Sequence, residues 1–270
     1  MSENRNPQHL NGPMPVLFVG HGSPMNAIED NRWSREFAAL GGEFAQPTAI
    51  LAVSAHWYVN GTYITGNEQP ETIHDFGGFP QALFEVEYPS PGHVSLARQV
   101  RGILEQERAS LNSDWGIDHG SWSVLRWMFP KADVPVIQLS IDRRQSLKRH
   151  FEIGRSLAEL RDENVLILAS GNIVHNLRDA FSRKRVGDIE TPNWARRFDE
   201  SVKQAVIDHD SARLLSLATE TDDGRQAHPT LDHWLPLIYA AGAGLETDGT
   251  RFTSEGFDWG SISMRNVIFQ

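Results

Sequence analysis

The chain has 270 residues, of which 40% are hydrophobic and 22% charged, the balance of an ordinary compact protein with room for a large core; disordered and fibrous classes drop out. A formal net charge of -10 repels polyanions, and Arg183-Lys184-Arg185 is too short a basic run to offset it, so nucleic acid is not an expected partner. With no cysteine, disulfides, thiolate nucleophiles and sulfur-held metals are excluded, and any metal must sit on nitrogen and oxygen from the 11 histidines and 35 acidic residues.

Residues 1–13 are polar, lack the apolar stretch of a signal peptide, and read as a flexible N-terminal segment. No apolar run approaches the roughly 20 residues of a membrane span, so a cytoplasmic location with no membrane partner is expected. Val16 to Val19 is a strand that ends in Gly20-His21-Gly22, and Ile50 to Val53 is a second that leads to His56. The stretch from Gly61 to Pro91, with Gly77, Gly78, Pro80 and Pro89, reads as a long irregular connection over the sheet, the kind that often serves as a lid.

Apolar spacing of three and four predicts helices over Val94 to Glu107, Ser121 to Phe129, Leu147 to Arg161, Trp194 to Asp208, Ala212 to Ala218 and Asp232 to Ala241. Further strands are expected at Val134 to Leu139, Val165 to Leu168 and Met264 to Phe269. Strands alternating with helices, with no linker or repeat between them, predict one α/β domain over 1–270. Its central sheet is mostly parallel with mixed edges, and helices flank both faces.

Ligands of open α/β sheets bind beyond the carboxyl ends of the strands. His21, His56 and His175 each follow an apolar strand there, the last after Val165 to Leu168 and the loop Ser170-Gly171-Asn172. A lone histidine in such a place is commonly a cap, but three together point to a site that can hold a metal. His233 is a fourth, projecting from a helix start with Thr230 as its N-cap; His228 precedes a proline and reads as loop surface. His119 fits either a core histidine beside Trp122 or an imidazole aimed at a ligand's oxygen. His74 has a lid position, whereas His9, His93, His150 and His209 read as surface. The glycine-rich phosphate loops, the Gly-x-Ser-x-Gly elbow and the His-Glu-x-x-His helix are all missing.

The segments Gly20 to Asn26, Val53 to Trp57, Ile73 to Pro80, Asp118 to Trp122, Gln138 to Asp142, Ser170 to Asn176 and Pro229 to Pro236 together resemble the class III extradiol ring-cleavage dioxygenases, in the 4,5-DOPA extradiol branch. The resemblance implies one divalent metal per chain on His21, His56 and His233, Fe(II) for turnover, with Zn(II) also associated with this branch. It implies His175 as acid/base residue, or a fourth ligand in a resting or zinc form, and His119 close to the substrate. Relatives that cleave protocatechuate have a glutamate where this chain has His233, which leaves the site here more positive. Small catechols and dioxygen are the implied partners, and a ring-opened semialdehyde the product. His74, Phe79 and Trp57 are candidates to bind the substrate, and Phe76 and Trp122 could also stack on its ring. Two competing readings use the same residues: a zinc-dependent hydrolase, which needs no dioxygen, and a non-catalytic histidine metal-binding protein.

Overall fold

A computed structural model describes residues 12–188 and 190–270, so most of the 1–13 segment lies outside the described residues. In chain order the strands are β1 (Val16–Gly20), β2 (Ala49–Val59), β3 (Tyr63–Thr65), β4 (Ser110–Asn112), β5 (Val136–Asp142), β6 (Val165–Gly171), β7 (Thr250–Thr253), β8 (Phe257–Asp258), β9 (Ile262–Ser263) and β10 (Asn266–Phe269). The helices are α1 (Arg32–Gly41), α2 (Gln81–Phe84), α3 (Val94–Ile103), α4 (His119–Met128), α5 (Leu147–Leu157), α6 (Leu177–Arg185), α7 (Asn193–Ile207), α8 (Ser211–Glu220), α9 (Asp222–Ala227) and α10 (Leu235–Ala243).

Among the described residues eight strands form one sheet in the order β4-β3-β5-β2-β6-β1-β10-β7. Its centre is parallel, β5 to β2 to β6 to β1, while β10 and β7 on one side and β3 on the other run antiparallel to their inner neighbours. The mostly parallel, mixed-edge α/β architecture is therefore the one expected.

Central strands are apolar on both faces because both are covered. Val16, Phe18, Leu51, Val53 and Ile167 face α3, α5, α7, α8 and α10, whereas Leu17, Val19, Ile50, Ala52 and Leu168 face α1 and α4. Two helices end before their apolar pattern does: the chain tightens into 3-10 turns at Glu105–Glu107 and Ala158–Glu163, as helix ends often do. Among the described residues no helix is long and apolar enough to cross a membrane.

Two expectations near the site need correction. β2 does not stop at Val53; it runs through His56 to Val59, with its register against β5 shifting between Val53 and Tyr58. The irregularity lets a polar residue project from inside a strand. The last helix begins at Leu235 with Pro236 in its first turn, so Thr230 does not cap it and His233 sits in the turn ahead.

Candidate active site

His21 follows β1 through a sharp turn in which Gly22 adopts φ 64°. A Cβ on Gly22 would also meet the Met264 sulfur at 2.5 Å, so only glycine takes this turn without strain. His56 comes from the irregular part of β2, His119 from the first turn of α4, His175 from the loop after β6 and His233 from the turn before α10. The topology thus gathers five imidazoles that lie up to 212 residues apart, since ring centroids are 5.1 Å apart for His21 and His56, 5.2 Å for His21 and His233, and 5.1 Å for His56 and His233. His119 lies 3.8 Å from His56 but 5.7 Å from His21. His175 stacks on His233 at 3.4 Å.

Partners fix the tautomers. The Ser170 hydroxyl donates to the Gly120 carbonyl, so its oxygen accepts from His21 Nδ1 at 2.9 Å. The Asp75 carboxylate accepts from His56 Nδ1 at 3.0 Å and from His119 Nδ1 at 2.9 Å, and Asp232 accepts from His233 Nδ1. In each ring this leaves Nε2 as a bare acceptor. His21 Nε2 and His56 Nε2 face each other at 3.2 Å. Two lone pairs that close repel, unless a cation lies between them. Ligands at about 2.1 Å from one divalent ion stand about 3.0 to 3.4 Å apart, so the spacing suits a shared metal.

The electrostatics favour the neutral form at His21 and His233, and the protonated form at His56. Burial, reinforced by the neighbouring histidines, holds His21 well below the ordinary imidazole range, and burial also lowers His233. Burial pushes His119 down to about 4 and takes His175 well below its usual value. At His56 burial acts the same way but is outweighed by Asp75 and Asp118, which raise it. Burial would raise the Asp75 and Asp232 carboxyls, yet hydrogen bonds from their histidines hold both far down, so both are charged.

Two groups of side chains have donor atoms within 4.8 Å of one another: His21, His56 and His119, and separately His175, Asp232 and His233. The first differs from the expected set by having His119 in place of His233. The ring geometry is less lopsided with His233, because its centroid is equidistant from His21 and His56 to within 0.1 Å.

The remaining candidates divide. His74 donates from Nε2 to the Val86 carbonyl at 3.0 Å and packs beside Phe76 and Trp122, bracing the connection from its inner side. Phe79 packs edge-on to Phe76, whose ring lies 5.3 Å from His119, so both approach the site. Trp122 is fully buried and donates to the Ile73 carbonyl, anchoring the same connection. Trp57 is not brought to the histidines: successive strand side chains point to opposite faces, and it stacks on Trp115 with planes 7° apart.

Two histidines read as surface are buried instead. His228 donates to the Ile173 carbonyl at 2.7 Å and packs against Phe198 and Trp234; His150 pairs with the Tyr239 hydroxyl at 2.9 Å inside the α5–α10 contact. Polar local sequence hid both, since neighbours distant in the chain cover them. Sequence reasoning also gave no role to Asp75, Asp232 or Ser170, the groups that orient the rings. The one available signal was an acid beside a histidine, in His74-Asp75 and Asp232-His233.

Residues 16–270 match the family described as the catalytic LigB subunit of aromatic ring-opening dioxygenase. The chain is 46% identical over 257 residues to an Escherichia coli K12 protein named 4,5-DOPA dioxygenase extradiol, covering 94% of each. A Beta vulgaris protein of the same name is 34% identical over 260 residues, with 94% of this chain and 96% of that protein covered. A crystal structure of an uncharacterized Escherichia coli K12 protein superimposes with a TM-score of 0.83 at 39% identity, covering 95% of this chain and all of that one.

Proposed function

The chain belongs to the family of the catalytic LigB subunit of aromatic ring-opening dioxygenases, and on that premise we propose that it opens the ring of catechols such as DOPA with dioxygen, placing both oxygen atoms in a ring-opened semialdehyde. One observation carries the reading: the rings of His21, His56 and His233 form a nearly equilateral triangle, each with Nδ1 held and Nε2 bare, and His119 joins His21 and His56 in a set whose donor atoms converge within 4.8 Å. Such a triangle suits three nitrogens on one face of a divalent ion, leaving the opposite face for substrate. When bound there, a redox-active ion such as Fe(II) supplies chelation of both catechol oxygens and a path for electrons from ring to dioxygen, chemistry that Zn(II) lacks.

The protein's own groups do the rest. Asp75, Ser170 and Asp232 keep the three ligands oriented and, at Asp75 and Asp232, more basic. His175 has no hydrogen bond to its ring among the described residues and is kept unprotonated by burial, so it is free to take a proton from a catechol hydroxyl and return it to the opened product. His119 presents Nε2 to the substrate with the Asp75 carboxylate behind it, an arrangement that accepts a hydrogen bond from the second hydroxyl. Phe76 and Phe79 shield that side from water.

The test is anaerobic reconstitution of metal-stripped protein with Fe(II) or Zn(II), followed by DOPA and air. Iron-dependent oxygen uptake with a new visible chromophore is expected. Zinc-dependent hydrolysis of an ester or amide without oxygen uptake would replace this reading with the hydrolase, and metal binding with no turnover would replace it with a binding protein.

A further inference from the structure

Beside the histidines lies an open cleft of about 710 Å3, whose lining includes Asn26, Glu29, Phe79, Lys184, Asp258 and Trp259. None of the five histidines lines it, but three of its walls connect to the residues that hold or neighbour them. Asn26 donates to the His21 carbonyl at 3.1 Å; Phe79 packs on Phe76 and through it on His119; and Asp258 pairs in the β8–β9 hairpin with Ile262, which bridges to His175. The cleft therefore adjoins the site through the elements that carry His21, His119 and His175.

The charges in the cleft are arranged unusually. Lys184 closes α6 with its ammonium 3.9 Å above the Trp259 ring, exposed and without an ion pair among the described residues. Its neighbour Arg183 is held by both Asp179 and Asp188, so the difference is local to the cleft. Asp258 likewise has no ion pair among the described residues, although it is partly buried. Burial raises its carboxyl, the Trp259 backbone N–H and Lys184 pull the other way, and Glu29 adds to the rise. Lys184 and Asp258 flank Trp259 on one wall, neither in an ion pair among the described residues, with exposed Glu29 as a second anion in the lining; the wall thus offers a cation and an anion to a ligand that carries both opposite charges.

We propose that this cleft is the subsite for the zwitterionic tail of an amino-acid catechol, with Lys184 receiving the carboxylate and Asp258 the ammonium group. The inference rests on the ring-cleavage reading for where the catechol end sits, and it names what selects among catechols. Trp259 orders the lysine over its face, and Phe79 packs on the methylene between ring and tail.

Binding tests it without turnover. Affinities of the Zn(II)-loaded protein for DOPA, dopamine, which lacks the carboxylate, and 3,4-dihydroxyphenylpropionate, which lacks the ammonium, are measured by calorimetry under nitrogen. The wild-type protein is expected to prefer DOPA to both. Lys184→Met should shrink the preference for DOPA over dopamine by about three- to tenfold, and Asp258→Asn the preference over the propionate by a similar factor. Preferences that stay the same in both variants, or no binding of any of the three, overturn the subsite. Ring opening by the Fe(II) form is recorded separately: selective binding without ring opening supports the subsite and defeats the dioxygenase reading, whereas ring opening with unchanged preferences defeats the subsite alone.

Discussion

The rings of His175 and His233 lie face to face, centroids 3.4 Å apart and planes 6° apart, yet only His233 has a carboxylate at Nδ1. The ring with the carboxylate suits a ligand, and the unsupported ring suits a proton carrier. His175→Ala should therefore keep its metal while kcat falls by about 10²- to 10⁴-fold. Elemental analysis beside turnover on DOPA checks this; metal loss as severe as in His233→Ala would make His175 a ligand.

The choice between His119 and His233 as third ligand is open to direct measurement. His21→Ala, His56→Ala and His233→Ala are each expected to lose most of the bound metal, and His119→Ala to retain it with impaired turnover. The triangle of nearly equal ring separations would be misleading if His119→Ala emptied the site and His233→Ala did not.

Asp75 accepts from two histidines at once, one proposed as ligand and one as substrate contact. Replacing it affects both. Asp75→Asn should weaken metal affinity by about 10- to 100-fold and, in protein saturated with metal, still leave kcat depressed because His119 is no longer oriented. A chelator competition titration separates the two effects. Full recovery of kcat at saturating metal would confine Asp75 to the metal.

Acid should destabilise the metal-free protein over a defined window. Burial pushes His150 and His228 down to about 4, whereas in the unfolded chain each returns to its ordinary 6.5. The unfolded state takes up these protons first, so the stability each contributes is complete above pH 6.5 and is lost as pH falls towards 4. For His150 the contribution is up to about 3 kcal/mol, because holding a proton off the buried ring costs about 1.4 kcal/mol for every tenfold change in its proton affinity. Thermal melts from pH 7 to pH 4, with an NMR titration of the His150 ring, measure it; a ring that titrates near 6.5 in the folded protein refutes the assignment.

α5 and α10 approach through glycines. A Cβ on Gly154 would meet the Tyr239 carbonyl at 2.2 Å, and one on Gly242 the Phe151 carbonyl at 2.1 Å. Gly154→Ala must push the helices apart, at a cost of about 1–3 kcal/mol, for a drop in melting temperature of several degrees. An unchanged melting temperature would show that the pair has slack.

The structure extended the second strand through His56, but the sequence by itself determined the alternation of strands and helices, the parallel centre of the sheet and the delivery of histidines by apolar strands. These are local properties: a strand buried on both faces must be apolar throughout, and a glycine-flanked histidine at its end is visible in a few residues. The tertiary structure alone decided which nitrogen of each ring is free, because the groups that settle it come from far along the chain. Ser170 lies 149 residues from His21, and Asp75 lies 44 from His119. It likewise turned Trp57 away from the site, buried His150 and His228 under elements their neighbours in sequence do not reveal, and set Lys184 and Asp258, neither in an ion pair among the described residues, on the wall of one cleft. Side-chain orientation and burial depend on contacts between distant segments, and local spacing carries no record of them.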